Sequence, residues 1–135
     1  MQDPPSAIEL IRGIYNFLEK ELVPVLQEPL KFHTRVAANL LKIIEREQEL
    51  ENRNLFNEAE RVSRLLSKLP TSASSPEGLR AEILKLNDEL CTRIRRGDAD
   101  HDPWHRKVVD HIKRTLIEKL EITNPRMITK AQSKY

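Results

Sequence analysis

The sequence predicts an all-α fold, a single compact bundle of about five helices, on three observations. Apolar residues recur at three- and four-residue spacing in five successive stretches. Period-two runs of Val, Ile and Thr, the mark of half-buried strands, are missing. Glycine occurs only 3 times and charged residues make up 33% of the chain against 39% hydrophobic, the balance of amphipathic helices with much surface for their volume.

The first helix is announced by Ser6-Ala-Ile-Glu9, a capping box in which each side chain serves the other residue's backbone N–H. Its stripe is Ile8, Ile11, Tyr15, Leu18 and Leu22, widened by Leu10, Ile14 and Phe17, and Pro24 ends or bends it. A second helix is predicted over about 30–51, with Phe32, Val36, Ala37, Leu40, Ile43, Ile44 and Leu50 as its apolar positions. Asn52-Arg-Asn54 reads as a break, with Asn54 capping a third helix over about 55–69 whose face is Leu55, Ala59, Val62, Leu66 and Leu69. Pro70-Thr-Ser-Ala-Ser-Ser75 is a polar linker, expected to be mobile and dispensable.

Ser75-Pro76 caps and starts the fourth helix, which runs to about Arg96 with Leu79, Ile83, Leu86, Leu90 and Ile94 inward. Cys91 is read as a small core residue, and Gly97 stands where a C-terminal cap favours positive φ. Asp102-Pro103 opens the fifth helix, to about Glu121, with Val108, Val109, Ile112, Leu116 and Leu120 inward. Asn124-Pro125 stops it. One domain is expected over 1–135, with its core in about 5–122 and a flexible tail at 123–135 that has no helical period.

Net charge is +2, from 23 basic and 21 acidic residues, too balanced for a nucleic-acid footprint, and no apolar run is long enough to span a membrane. One cysteine excludes an intrachain disulfide, and the opening residues lack the basic and apolar regions of a secretory signal. A cytoplasmic protein without membrane attachment is expected.

Placing each helix on a wheel at about 100° per residue shows polar groups inside apolar arcs. His33 and Glu47 fall within the arc of the second helix, and Asn39 lies on its edge near Arg35. Asn87 lies between Ile83 and Leu90, and Lys119 beside Ile112 and Leu116. Inward charges of opposite sign point to each other, so Glu47 and Lys119 form a candidate buried ion pair. His33, Arg35, Asn39 and Asn87 form a candidate polar core or ligand site, either register-fixing hydrogen bonds or a pocket between the second and fourth helices. Trp104, the one tryptophan, is read as a core residue or a partner contact.

Asp98-Ala-Asp100-His-Asp102 has the alternating acids of a calcium loop, but Pro103 takes the glycine position and Val109 the final glutamate position, so no metal is expected. No glycine-rich phosphate loop, serine elbow or His-Glu-x-x-His helix is present, and no cofactor is expected. An enzyme is disfavoured, because the internal acid–base candidates, His33 and Glu47, stand about 21 Å apart on one helix.

The segment from Phe32 through His33, Arg35, Asn39 and Leu40 to Glu47 resembles the signature of an uncharacterised bacterial family of short helical domains of unknown function. The resemblance extends to Gln-Asp-Pro-Pro-Ser near the start, to Asn87 with Leu90, Cys91, Ile94 and Gly97, and to Lys119-Leu with Asn124-Pro125-Arg126. The chain departs from it at Met127, where an aromatic residue is expected. Such domains accompany aminoglycoside-phosphotransferase-like kinases and acyl-CoA dehydrogenases, and the resemblance implies a helper in acyl-CoA or fatty-acid breakdown. The expected function is a non-catalytic accessory domain whose partner is a kinase-like or dehydrogenase enzyme, or itself, contacted through the tail with Arg126 and through Trp104. The alternative is a small-ligand-binding module built on His33, Arg35, Asn39 and Asn87.

Overall fold

Ser6 and Glu9 cap one another as the sequence predicts. Ser6 N–H donates to Glu9 Oε2 at 2.7 Å and Glu9 N–H to Ser6 Oγ at 3.3 Å. The Ser6 N–H, together with the Ser6 hydroxyl that donates to the same oxygen at 2.8 Å, holds the Glu9 carboxyl below the usual carboxylate range. From that cap the computed structural model, which describes residues 3–69 and 71–132, runs α1 (Ala7–Phe17), a π-helical turn (Leu18–Leu22) and a short α2 (Val23–Val25). The π turn precedes Pro24, which has no N–H for the normal ladder, and Val23 N–H reaches back to Leu18 O instead. The other helices are α3 (Leu30–Leu65), α4 (Pro76–Arg95), α5 (Trp104–Thr123) and α6 (Pro125–Gln132). The fold is all-α, and the described residues contain no strand.

Two differences from the sequence reading have physical reasons. The second and third predicted helices are one, α3, with no break at Asn52-Arg-Asn54. Asn54 caps nothing; its side chain is buried and donates to the backbone carbonyl of Glu118 at 3.4 Å. The modest helix-propensity cost of Asn is outweighed by packing on either side. The segment after Asn124, expected to lack a helical period, forms α6.

The chain divides into two compact units, 1–49 and 50–135, with the division inside α3. In the first unit α1 lies along the early part of α3. Arg12 Nε donates to Glu45 Oε1 at 2.7 Å, Lys42 bonds both Glu19 carboxylate oxygens at 2.6 Å, and the Lys42 ammonium stands 5.2 Å from the Tyr15 ring centroid. Ala38 and Glu45 are the buried members of this stretch of α3.

In the second unit the later part of α3 packs with α4 and α5. One apolar cluster joins Val62, Leu66, Leu86, Leu90, Ala99 and Val108, with Leu65 and Trp104 against it. Another joins Ala59, Leu79 and Ile83, with Leu55 and Ala73 against it. Ala73 and Thr71 tie down the linker expected to be mobile. The Thr71 hydroxyl bonds Glu82 and accepts from Ala73 N–H at 3.2 Å. Cys91, read from spacing as a core residue, is exposed.

The helix ends explain themselves locally. Gly97, at φ 90°, closes α4, with Asp98 N–H reaching back to Arg93 O at 3.1 Å. Ser67, at φ 56°, does the same for α3, with Lys68 N–H on Ser63 O at 2.8 Å.

Candidate functional site

The face of α5 turned to its neighbours is only partly the one the apolar pattern selects, since Val108 is buried and Val109 and Leu120 are half-buried. Ile112 and Leu116, expected inward, are about half exposed, whereas His111 is only 6% exposed. Among its half-buried and buried residues, Trp104, Val108, His111, Thr115, Glu118 and Ile122 form an unbroken four–three seam, with half-buried Val109, Leu120 and Glu121 beside it. The seam begins apolar and turns polar, and the polar part meets a matching run on α3.

Buried Asn54 and Glu58, half-buried Arg61 and buried Ser63 supply that run. Arg61 grips Glu118 through two parallel hydrogen bonds, Nη1 to Oε1 at 2.7 Å and Nη2 to Oε2 at 2.5 Å, and Nη2 also reaches the Thr115 hydroxyl at 3.3 Å. Asn87 on α4 donates to Glu58 at 3.3 Å. Three polar atoms here, Arg61 Nε, Ser63 Oγ and His111 Nδ1, are buried with no hydrogen-bond partner among the described residues. Burial is the main force holding the His111 pKa below its ordinary value, with the Arg61 charge adding to it, while Glu58, Glu118 and Asp110 pull the other way. The imidazole is therefore neutral at pH 7.

A cleft of about 340 Å³ opens beside the seam, lined by Arg61, Arg64, Leu65, Lys107, Asp110, His111 and Arg114. Its wall carries four permanent cations and one carboxylate. Arg64 pairs with Glu60 at 3.0 Å and Arg114 with Asp110 at 3.0 Å, both within their own helices. Lys107 has no ion pair among the described residues and is exposed. Exposed pairs of this kind exchange readily with solvent and leave their cations available to a ligand. The wall holds no hydroxyl or thiol side chain. Cations converging on a small cleft match the charge of an anionic oxygen group, and Leu65 gives the cleft an apolar edge.

The residues chosen from sequence are distributed differently. His33, Arg35 and Asn39 lie in the first unit and are exposed, and Glu47 there is half-buried. Asn87 and Lys119 belong to the second unit, Asn87 half-buried on Glu58 and Lys119 exposed. Trp104 is half-buried and donates Nε1–H to Leu65 O at 3.1 Å, and Arg126 is exposed on α6. The acidic loop is satisfied internally. Asp98 is bound by Arg96, Asp102 by Arg106 at 2.6 Å, and the His105 ring bonds Ala99 O at 3.0 Å. Among the described residues no cluster has the His, Cys, Asp and Glu donors to hold a metal ion, and no helix is long and apolar enough to cross a membrane.

Sequence reasoning missed Arg61, His111 and Glu118 because each lies outside the apolar arc of its helix. The signal that finds them is the continuation of the Trp104–Val108 spacing into His111, Thr115 and Glu118.

The sequence profile of a family described as a domain of unknown function, DUF6285, matches residues 24–127. Neither the curated proteins nor the solved structures compared with the chain give a match.

Proposed function

The chain belongs to the DUF6285 family, a domain of unknown function, and we propose that it is a non-catalytic helical module that binds a small anionic ligand in the α3–α5 cleft. The observation that carries this reading is the wall itself, four cations beside a buried His111 whose pKa is held below its ordinary value. Arg64, Lys107 and Arg114 would contact the anion, and Arg61, fixed by Glu118, would hold the field in place.

The resemblance to domains that accompany aminoglycoside-phosphotransferase-like kinases and acyl-CoA dehydrogenases favours a phosphate-bearing ligand, since both enzyme classes handle one. The accessory role in acyl-CoA metabolism and a cytoplasmic setting belong to the same reading. Calorimetry of the full chain with inorganic phosphate, pyrophosphate and coenzyme A tests it. Binding that weakens with salt, and by about tenfold in Lys107→Ala or Arg114→Ala, is expected. No heat from any of the three, or binding indifferent to both substitutions, overturns it.

A second reading is a protein-interaction role, favoured by Ile112, Leu116 and Ile117, which stand exposed together on α5. Its test is co-purification with the kinase-like or dehydrogenase enzyme. Retention that Leu116→Glu abolishes would support it.

A further inference from the structure

We propose that the first unit pairs with the same unit of a second copy of this chain, α3 against α3 and antiparallel, about a two-fold axis at Leu40. In this unit the apolar stripe of α3 is not the side that α1 covers. On a wheel at about 100° per residue, Ala38 and Glu45, the buried positions, point nearly opposite to Leu40. Val36, Leu40, Ile44 and Phe32 are left between 41% and 58% exposed. A contiguous apolar stripe of this kind calls for a cover.

The pattern within the stripe specifies the cover. Along its centre run His33, Val36, Ala37, Leu40, Ile43, Ile44 and Glu47, whose positions are symmetric about Leu40, with Phe32 at the edge in the place that mirrors Gln48. A two-fold axis there sets Leu40 on the partner's Leu40, Val36 on the partner's Ile44, and small Ala37 on the partner's bulky Ile43. His33 then meets the partner's Glu47, and by symmetry the same pair forms twice. On a single helix these two polar groups are about 21 Å apart and cannot serve each other. In a parallel pairing His33 would face His33 and Glu47 would face Glu47, which sets like against like. The two polar interruptions of the stripe are thus complementary to each other in the antiparallel register alone. Self-complementarity of shape and charge is the property of an isologous interface, and a second copy is the occupant that supplies it.

Sedimentation equilibrium and light scattering on the full chain test the proposal. A mass near twice 15.7 kDa at tens of micromolar is expected. Leu40→Glu should give a monomer with unchanged far-ultraviolet circular dichroism, while Leu84→Glu, at an exposed site of the second unit, should leave the dimer intact. Glu47→Lys should weaken the dimer about tenfold, and His33→Glu combined with Glu47→Lys should restore it. A monomer at every concentration overturns the proposal. So does a dimer indifferent to Leu40→Glu, or a charge swap that fails to rescue.

Discussion

Arg61 on α3 and Glu118 on α5 share two parallel hydrogen bonds, and each side chain is 19% exposed. The planar guanidinium matches the carboxylate, and the bidentate geometry fixes both the spacing and the register of the two helices. The first prediction follows from this. Glu118→Leu or Arg61→Met should each destabilise the fold by about 2 kcal/mol, because each leaves a mostly buried charge without its partner. The double variant Arg61→Met with Glu118→Leu should recover most of that loss. A double-mutant cycle in urea should give a coupling of about 3 kcal/mol. Coupling within error of zero would reduce the pair to a surface contact.

The same arginine bears on His111. Desolvation and then the Arg61 charge hold the His111 pKa below its ordinary value of 6.5. In the unfolded chain the imidazole takes up a proton as pH falls through about 6.5, while the folded protein refuses it until its own lower pKa is reached. The unfolded state then binds more protons, so stability is complete above 6.5 and declines below it. His111→Leu should flatten this decline and leave neutral-pH stability unchanged or raised by about 1 kcal/mol, since it removes an unpartnered buried nitrogen. In Arg61→Met the His111 titration, followed by NMR, should move up toward 6.5. Glu89 and Asp98, whose pKa values are lowered by hydrogen bonds from Lys68 and Arg96, add a separate loss in the carboxylate range below.

The fold class was legible because it rests on periodicity, and the caps because they rest on local chemistry. Ser6 with Glu9, Ser75 and Gly97 all behave as short-range rules require. The joining of two predicted helices into α3 was not legible. Asn54 signals a cap by residue type, and only the distant carbonyl of Glu118 reveals its other use. The candidate site was hidden for a related reason. A hydrophobic wheel assigns the inward face to the greasiest residues, so on α5 it favours Ile112 and Leu116. The side actually turned to α3 carries Thr115 and Glu118, which are held by hydrogen bonds from Arg61, and His111, which is buried beside them; none of the three is there for its apolar area. A polar seam needs its partner helix to be recognised, and no single helix contains that information.

Apolar packing predicts a sharp contrast within α4. Leu79 is 1% exposed and packs with Ala59 and Ile83, whereas Leu84 is 72% exposed. Leu79→Ala should cost about 2–5 kcal/mol, from lost transfer energy and the cavity left behind. Leu84→Ala should change stability by no more than about 0.5 kcal/mol. Urea midpoints measure both, and equal effects would mean that the stripe of α4 faces the other way.

Two helix ends provide the last prediction. α3 and α4 finish in the same hydrogen-bonding motif, but the left-handed position is Ser67 in one and Gly97 in the other. A Cβ clashes with the following carbonyl in that conformation, and only glycine avoids the strain. Gly97→Ala should therefore cost about 1 kcal/mol, and its new Cβ would also stand 3.0 Å from Asp100 Oδ2. Ser67→Gly should have the opposite sign, stabilising by about 0.5–1 kcal/mol, because relief of strain exceeds the added freedom of the unfolded chain. Thermal melts of the two variants read the difference directly. A loss on Ser67→Gly would show that the serine side chain contributes more at that turn than its backbone strain removes.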